Sequence, residues 1–423
     1  MKPYDWDFSA PTPSGMGDHD VPLVSQRLAG RRIALLVTGG IAAMKTPQIA
    51  RGLRRHGAQV VAFASEDALR YVARDTLEWA TMGPVVTGLT WAAEHLSDGA
   101  PFDAYLVAPA THSTIAKMAY GIGDTVVTSA LISALGRMEQ GRTKVLVAPT
   151  MHGTMHNAQL VDNARRLAAQ GVRFIAPRDA YGKHNLPDTE VLCIAVGRAL
   201  STSPLIDKRI MVTAGPTPVP IDGVRRIVNR FRGRLGARVA EELIWRGADA
   251  ELVLGDGAWR PSAPIPLTIT RTFDEYRDTV VARAREGLFA GVFSAGVADY
   301  RPKQVVQGKI TSGQSTYMLA LEATEKVIDL ACQADPVMHC VAFKYLEGVS
   351  EEELVRVAAK RLDHAGLVVA TRGEDTRGTE QRALMVARDG VTPLEDKRAI
   401  AHAIADYLEG LAQSGQPLRA AAE

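Results

Sequence analysis

The sequence predicts an α/β protein of two doubly wound domains. Three observations carry that reading: short, continuously apolar runs that end in glycine or proline turns, helical spacing between them, and the same plan starting again after residue 208. At 423 residues the chain has room for two or three domains, each able to bury its own core. Lys plus Arg (49) nearly balances Asp plus Glu (47), so no overall field favours a nucleic acid or an acidic membrane as partner. No apolar run approaches the length of a membrane span. The three cysteines, Cys193, Cys332 and Cys340, lack the close pairing of a zinc site or a disulfide framework, which suits a reducing cytoplasm.

Residues 1–30 are rich in Pro, Gly, Ser and Asp and read as a poorly ordered arm, with no signal-peptide core. The first domain, 31–200, opens with IALLV running into TGG, the pattern of a strand buried on both faces that meets a glycine turn. Helical spacing through Ile49 and Leu53 follows, Gly57 serves as the stop, and Val60 to Phe63 restart a strand, completing one βαβ unit. AYLVAPA (104–110), KVLVAPT (144–150) and RFIAP (173–177) supply further buried strands. Polar residues and Pro in STSPLIDK (201–208) mark the boundary. The second domain, 207–414, then begins with RIMVTAG, a strand closed by Gly215. LIWRGADAELVLG (243–255) loosely repeats LRRHGAQVVAFAS (53–65), and AGVFSAG, HCVAF and LVVAT give later strands. A last helix carries Ile400, Ile404, Leu408 and Leu411 on one stripe.

Chemistry concentrates at the strand ends. GGIAAMK (39–45) lies where a strand hands over to a helix, a place where free backbone N–H groups hold a phosphate, although glycine there also serves simply to turn the chain. Ser65 ends the next strand on the same edge of the sheet, where ligands of such folds bind. Together they favour a nucleotide-like cofactor.

VAPATHSTIAKMAYGIGDTVVT (107–128) and VLVAPTMHGTMHN (145–157) resemble the two signature segments of flavin-dependent cysteine decarboxylases. TAGPTPVPIDGVRRIVN (213–229), SAGVADYRP (294–302) and GKI (308–310) are similar to the ligase half of the bifunctional phosphopantothenoylcysteine decarboxylase/phosphopantothenate-cysteine ligase of coenzyme A synthesis. The resemblance spans roughly residues 31 to 410. It implies two Rossmann-like domains, the first a flavodoxin-like FMN domain with a parallel sheet.

For the first domain the resemblance implies FMN held by Gly39, Gly40, Ile41, Ala42, Ser65, Pro109, Ala110, Thr111 and Ser113. The base of the family stands fourteen residues before the Pro of the PAT segment, as His95 stands before Pro109; a surface histidine in the polar AEHLSDG is the alternative. Two departures stand out. His152 occupies the place of an Asn that contacts the substrate carboxylate, and RDAYGKHNLPD (178–188) lacks the proton-donating Cys of the family's mobile flap. Cys193, in an apolar run beyond it, reads as a buried structural thiol.

For the second domain the resemblance implies a ligase that uses Mg2+ and CTP or ATP. Asn229 corresponds to the Asn contacting the acyl intermediate, with a turn or cap as its ordinary role. Lys309 corresponds to a phosphate-contacting Lys, with a solvated loop lysine as the alternative. Gly215, Asp299, Phe343 and Lys360 fall near nucleotide-contacting positions. Arg225, Arg226, Arg230, Arg232 and Arg234 form a cationic cluster suited to phosphate or to a solvated face. The expected partners are phosphopantothenate, cysteine and phosphopantothenoylcysteine, with further copies of the chain as trimers of flavin domains and dimers of ligase domains. Rival readings keep the scaffold with another cysteine-like thiol as substrate, or make it a non-catalytic flavin-binding protein.

Overall fold

The structure, a computed structural model, describes residues 5–96, 99–261, 263–313, 315–377 and 380–414. It divides into two units, Met1–Leu200 and Ser201–Glu423.

In the first unit the apolar runs become β1 (Arg32–Val37), β2 (Gln59–Ala64), β3 (Ala104–Ala110) and β4 (Lys144–Pro149), followed by the short β5 (Met151–His152) and β6 (Arg173–Phe174). The main sheet has the order β2-β1-β3-β4-β6, and every pairing in it is parallel. That is a doubly wound order with its reversal between β1 and β3, where ligands of such sheets bind. All seven residues of β3 are buried because helices cover both faces. These are α1 (Thr46–Arg55), α2 (Arg74–Thr81), α3 (His112–Tyr120), α4 (Val126–Glu139), α5 (Ala158–Ala169) and α6 (Thr189–Leu200). A hairpin of β7 (Arg178–Ala180) and β8 (Lys183–Asn185) pairs antiparallel with β5.

α1 buries Ile49, Ala50 and Leu53 and ends before Gly57, whose φ of +93° is the left-handed conformation that favours glycine. Part of the segment expected to be an arm docks there. Leu28 is buried, its N–H bonds the carbonyl of His56 at 2.8 Å, and the hydroxyl of Ser25 lies 2.7 Å from His56 Nδ1. One buried leucine among polar residues is too sparse a pattern to stand out in the sequence. Cys193 is buried in α6, and burial pushes its thiol well above the usual range.

The second unit has an eight-stranded sheet in the order Leu267–Thr270, Asp249–Gly255, Arg209–Ala214, Ala290–Phe293, His339–Leu346, Leu367–Arg372, Ala383–Ala387, Gly390–Leu394. The first six are parallel and the last two pair antiparallel. The six follow the 3-2-1-4-5-6 order of the Rossmann fold. Helix Arg234–Trp245 approaches the first strand so closely that a Cβ on Gly236 would collide with Ser294 Oγ and lie 2.6 Å from Ala214 Cβ. The edge hairpin was not foreseen, although Asp389-Gly390 between two apolar runs is a hairpin signal.

Candidate functional site

The carboxyl ends of β1 to β4 open on a cleft of about 650 Å³, within the range of small-molecule sites. Eight of the nine residues expected to hold a flavin line it: Gly39, Gly40, Ile41, Ala42, Ser65, Pro109, Thr111 and Ser113. The ninth, Ala110, is buried at the end of β3, where its carbonyl accepts the Thr150 N–H at 3.0 Å. It shapes the wall without facing the cavity.

The walls are tied together by short polar contacts. Thr38 Oγ1 donates to the Pro109 carbonyl at 2.7 Å, fixing the turn after β1 to the end of β3. Thr111 caps α3 by accepting the Thr114 N–H at 3.3 Å, and Thr125 and Thr128 form a reciprocal capping box at the start of α4. A Cβ on Gly39 would collide with Cβ of Asp67, so the turn after β1 accepts only glycine without shifting.

The donor set of the cleft suits FMN. Lys45, Lys117 and Lys183 face a single carboxylate, Asp67, and hydroxyls come from Ser65, Thr111, Ser113 and Thr128. Lys117 bonds Asp124 at 2.7 Å and holds that carboxyl below its usual range. Ile41, Met44, Val127, Met151, Met155 and Leu186 supply an apolar wall. Net cationic and hydroxyl-rich at the glycine turn, apolar beyond it, the cavity fits a phosphate joined to a flat ring system. Lys45 closes the GGIAAMK segment, whereas Lys117 and Asp67 were missed by the sequence reading because single charges near a glycine turn have no pattern.

His152 lines the cleft from β5, with Nδ1 2.9 Å from Thr154 Oγ1. His95 does not line it. Its loop is anchored at the amino end of β1, where Arg32 bonds the Ala100 carbonyl, and at the last turn of α4, where Arg137 bonds the Leu96 carbonyl at 2.6 Å. Thr128, at the start of α4, lines the cleft; the nine residues from it to Arg137 span about 14 Å of helix, beyond the reach of an imidazole. His95 is half-buried and its Nδ1 has no hydrogen-bond partner. Ser97 and Asp98 of the same loop lie outside the described residues.

In the second unit the expected residues are spread over a strand end, a strand, a helix end and several loops. Gly215 has φ +77°, and a Cβ there would come within 2.6 Å of Ala258 Cβ. The side-chain amide of Asn229 donates to the Gly296 carbonyl, and its oxygen accepts the Phe231 N–H at 3.3 Å. Asp299 pairs with Lys326 at 2.6 Å. Phe343 is half-buried on strand His339–Leu346, and Lys360 is exposed at the end of helix Glu351–Ala359.

Lys309 is exposed, but its loop is pinned by Asp222. The buried Asp222 carboxylate accepts the N–H groups of Ile310 (2.9 Å), Arg225 (2.6 Å) and Val224 (2.8 Å), plus the Arg225 guanidinium at 2.6 Å. These bonds, led by that from Ile310, hold its carboxyl well below the usual range.

The arginine cluster is largely committed to protein partners. Arg225 pairs with Asp222, Arg226 with Asp256 at 2.8 Å and Arg230 with Glu347, while Arg232 donates to the Gly257 carbonyl at 3.1 Å. All four stand exposed, and these contacts tie their loop to its surroundings. Lys344 was missed by the sequence reading: burial lowers the pKa of its amine, opposed by the charge of Asp299. Among the described residues no group of three or more His, Cys, Asp or Glu side chains is placed to hold a metal. No described helix is long and apolar enough to cross a membrane.

A flavodoxin-like domain whose cleft has a donor set suited to FMN, joined to a Rossmann-order domain, defines a two-domain flavoprotein. Residues 23–200 match the Flavoprotein family and residues 205–411 match the DNA/pantothenate metabolism flavoprotein C-terminal domain. The chain is 36% identical over 410 residues to a coenzyme A biosynthesis bifunctional protein CoaBC of Thermococcus kodakarensis, covering 92% of this chain and 99% of that one. It is 33% identical over 304 residues to the CoaBC of Mycolicibacterium smegmatis, covering 68% and 71%. A solved DNA/pantothenate metabolism flavoprotein from Streptococcus pneumoniae is 26% identical over 48% of this chain and 99% of its own, with a TM-score of 0.45. The chain belongs to the bifunctional coenzyme A biosynthesis flavoprotein family.

Proposed function

We propose that the chain catalyses two consecutive steps of coenzyme A synthesis, nucleotide-dependent joining of phosphopantothenate to cysteine and FMN-dependent decarboxylation of the phosphopantothenoylcysteine formed. The observation that carries this reading is the gathering of Gly39, Ser65, Pro109, Thr111 and His152 around one cleft, in a chain whose two halves both match the family.

In the first unit the glycine turn Gly39-Gly40 with Ile41 and Ala42, the hydroxyls of Ser65, Thr111 and Ser113, and Lys45 bind the flavin phosphate, while Pro109 and Ala110 fix the wall beside it. When bound, FMN supplies a reversible two-electron oxidation of the substrate thiol, which turns the neighbouring carbon into a sink for the electrons released with CO2. His152 binds the substrate carboxylate, as a cation when protonated. His95 is the base. Since its loop lies about 14 Å of helix from its own cleft, His95 serves the cleft of a neighbouring copy, which agrees with the trimer that the resemblance implies.

In the second unit, Gly215, Asp299, Phe343 and Lys360 bind CTP or ATP with Mg2+ carried by the phosphates. Lys309 stabilises the charge that builds on the α-phosphate as pyrophosphate leaves, and Asn229 orients the acyl carbonyl for attack by the cysteine amine. The same reading makes the protein a cytoplasmic homo-oligomer.

The test is turnover by the full chain with phosphopantothenate, cysteine, Mg2+ and either nucleotide, reading pyrophosphate and CO2 separately. Pyrophosphate without CO2 removes the decarboxylase; protein that takes up no FMN removes the flavin site.

A further inference from the structure

Two of the three cysteines meet in the core of the second unit, and neither proposed reaction uses them. Cys332 lies in the last turn of helix Val327–Ala334, and Cys340 is near the start of strand His339–Leu346. Both are buried, and their sulfurs stand 2.7 Å apart. The short connection between helix and strand is held by one carboxylate: Asp335 Oδ2 accepts the Leu288 N–H at 3.1 Å, and Oδ1 accepts the Val337 N–H at 3.3 Å. Main-chain acceptors also stand near each thiol, the His364 carbonyl 3.8 Å from Cys332 Sγ and the Met338 carbonyl 3.6 Å from Cys340 Sγ. Helix, turn and strand thus aim the two sulfurs at each other. Closing the gap to the roughly 2.05 Å of a disulfide bond takes a shift of about 0.7 Å.

Packing is the ordinary use of a buried cysteine, but a second observation points to chemistry. Both residues border a cavity of about 30 Å³, walled also by Pro336, Met338, His364 and Arg388. Pro336, His364 and Arg388 are exposed, so the cavity reaches the surface. It has room for a molecule of about the size of water, and hydrogen peroxide is only slightly larger. A peptide-sized disulfide does not fit. Arg388 also brings a cation to the wall beside the sulfurs, and the thiolate is the form of cysteine that attacks.

We propose that Cys332 and Cys340 are a reversible dithiol–disulfide pair, oxidised by a small hydroperoxide that enters this cavity, and that the disulfide staples helix Val327–Ala334 to strand His339–Leu346. Cys332, the more exposed of the two at 9% against 3%, reacts first. Its sulfur bonds to one peroxide oxygen, the O–O bond breaks, and one water leaves, giving a sulfenic acid. Cys340 then attacks that sulfur, the S–S bond forms, the S–O bond breaks, and a second water leaves. Two thiols and one peroxide become one disulfide and two waters, the two electrons passing from sulfur to oxygen. A small dithiol reverses the step by thiol–disulfide exchange. The proposal stands apart from the ligase and decarboxylase readings.

The experiment treats the full chain with hydrogen peroxide, denatures it and counts thiols. The count is expected to fall from three to one, Cys193 in α6 being the thiol that remains. Peptide mass mapping is expected to find Cys332 linked to Cys340 with the loss of two hydrogens, and dithiothreitol to restore all three thiols. Because the bond closes a short loop of the unfolded chain, a melting transition of the oxidised protein is expected to rise by about 5–10 °C. Cys340→Ser is expected to abolish that rise and to leave Cys332 as a sulfenic acid that dimedone traps; Cys340→Ala serves if the serine prevents folding. Three thiols after peroxide, a bond that uses Cys193, or oxygen added to Cys332 of the wild type without a cross-link overturns the pair. A cross-link that leaves every melting transition unmoved overturns the staple.

Discussion

The two units use the same architecture, parallel strands whose carboxyl ends carry glycine turns, and they differ in how far their functional residues stand from those ends. In the first unit most of the expected residues lie at a strand end, in the short turn after it or in the first turn of the next helix, so the sheet itself collects them around one cleft. In the second unit Asn229, Asp299 and Lys309 lie on loops several residues beyond the strands, held by side-chain bonds to Gly296, Lys326 and the loop of Asp222. A site built on strand ends is preorganised by the main-chain ladder. A site built on loops depends on individual carboxylates and amides, and each of those can be removed by one substitution.

The largest effect that tests this contrast concerns the one first-unit residue that breaks the pattern. His95→Asn is expected to lower CO2 release by about 10²- to 10⁴-fold while FMN stays bound. Mixing that variant with Gly39→Val chains, which keep His95 and lose the cleft, is expected to restore CO2 release if oligomers are refolded together. No restoration would place base and cleft in one chain. Lys309→Gln comes next, with pyrophosphate formation reduced by about 10²- to 10³-fold and CO2 release from supplied phosphopantothenoylcysteine unchanged. Gly39→Ala follows: the added methyl overpacks against Asp67 at a cost of about 1–3 kcal/mol. FMN affinity, measured by quenching of flavin fluorescence, is expected to fall by roughly 5- to 150-fold.

The same contrast explains what was legible in the sequence. Buried parallel strands are continuous apolar runs, and glycine turns sit directly after them, so IALLV-TGG and RIMVTAG announced both sheets and the glycine wall of the cleft. Lys117 and Lys183 were not legible because they reach the cleft from a helix and a distant hairpin, and no spacing links them. The contact of His156 Nδ1 with His184 Nε2 at 2.8 Å was hidden for the same reason: the two residues are 28 apart and meet only because the hairpin folds back on β5. The arginine cluster was legible only in part. Its spacing was visible, but its partners Asp256 and Glu347 are 30 and 117 residues away, and only the fold shows that they neutralise Arg226 and Arg230.

Asp222 gives the smallest effect and the sharpest test of a loop held by one carboxylate. Its carboxyl titrates below the ordinary range because four donors bond its ionised form. A lowered folded-state pKa means that the ionised form stabilises the fold. That contribution is complete above the unfolded value near pH 4 and fades as the pH falls through the folded value. Wild-type protein is therefore expected to lose thermal stability steadily below about pH 4, and Asp222→Asn is expected to show a shallower slope over that window. At neutral pH the same variant frees the Ile310 N–H from its anionic acceptor, so the loop carrying Lys309 samples more positions. Pyrophosphate formation should then fall through kcat, with KM for phosphopantothenate changed less, and Asp222→Glu should recover part of the rate. An unchanged kcat beside a flattened stability slope would show that Asp222 holds the fold of this corner and leaves the placement of Lys309 to other contacts.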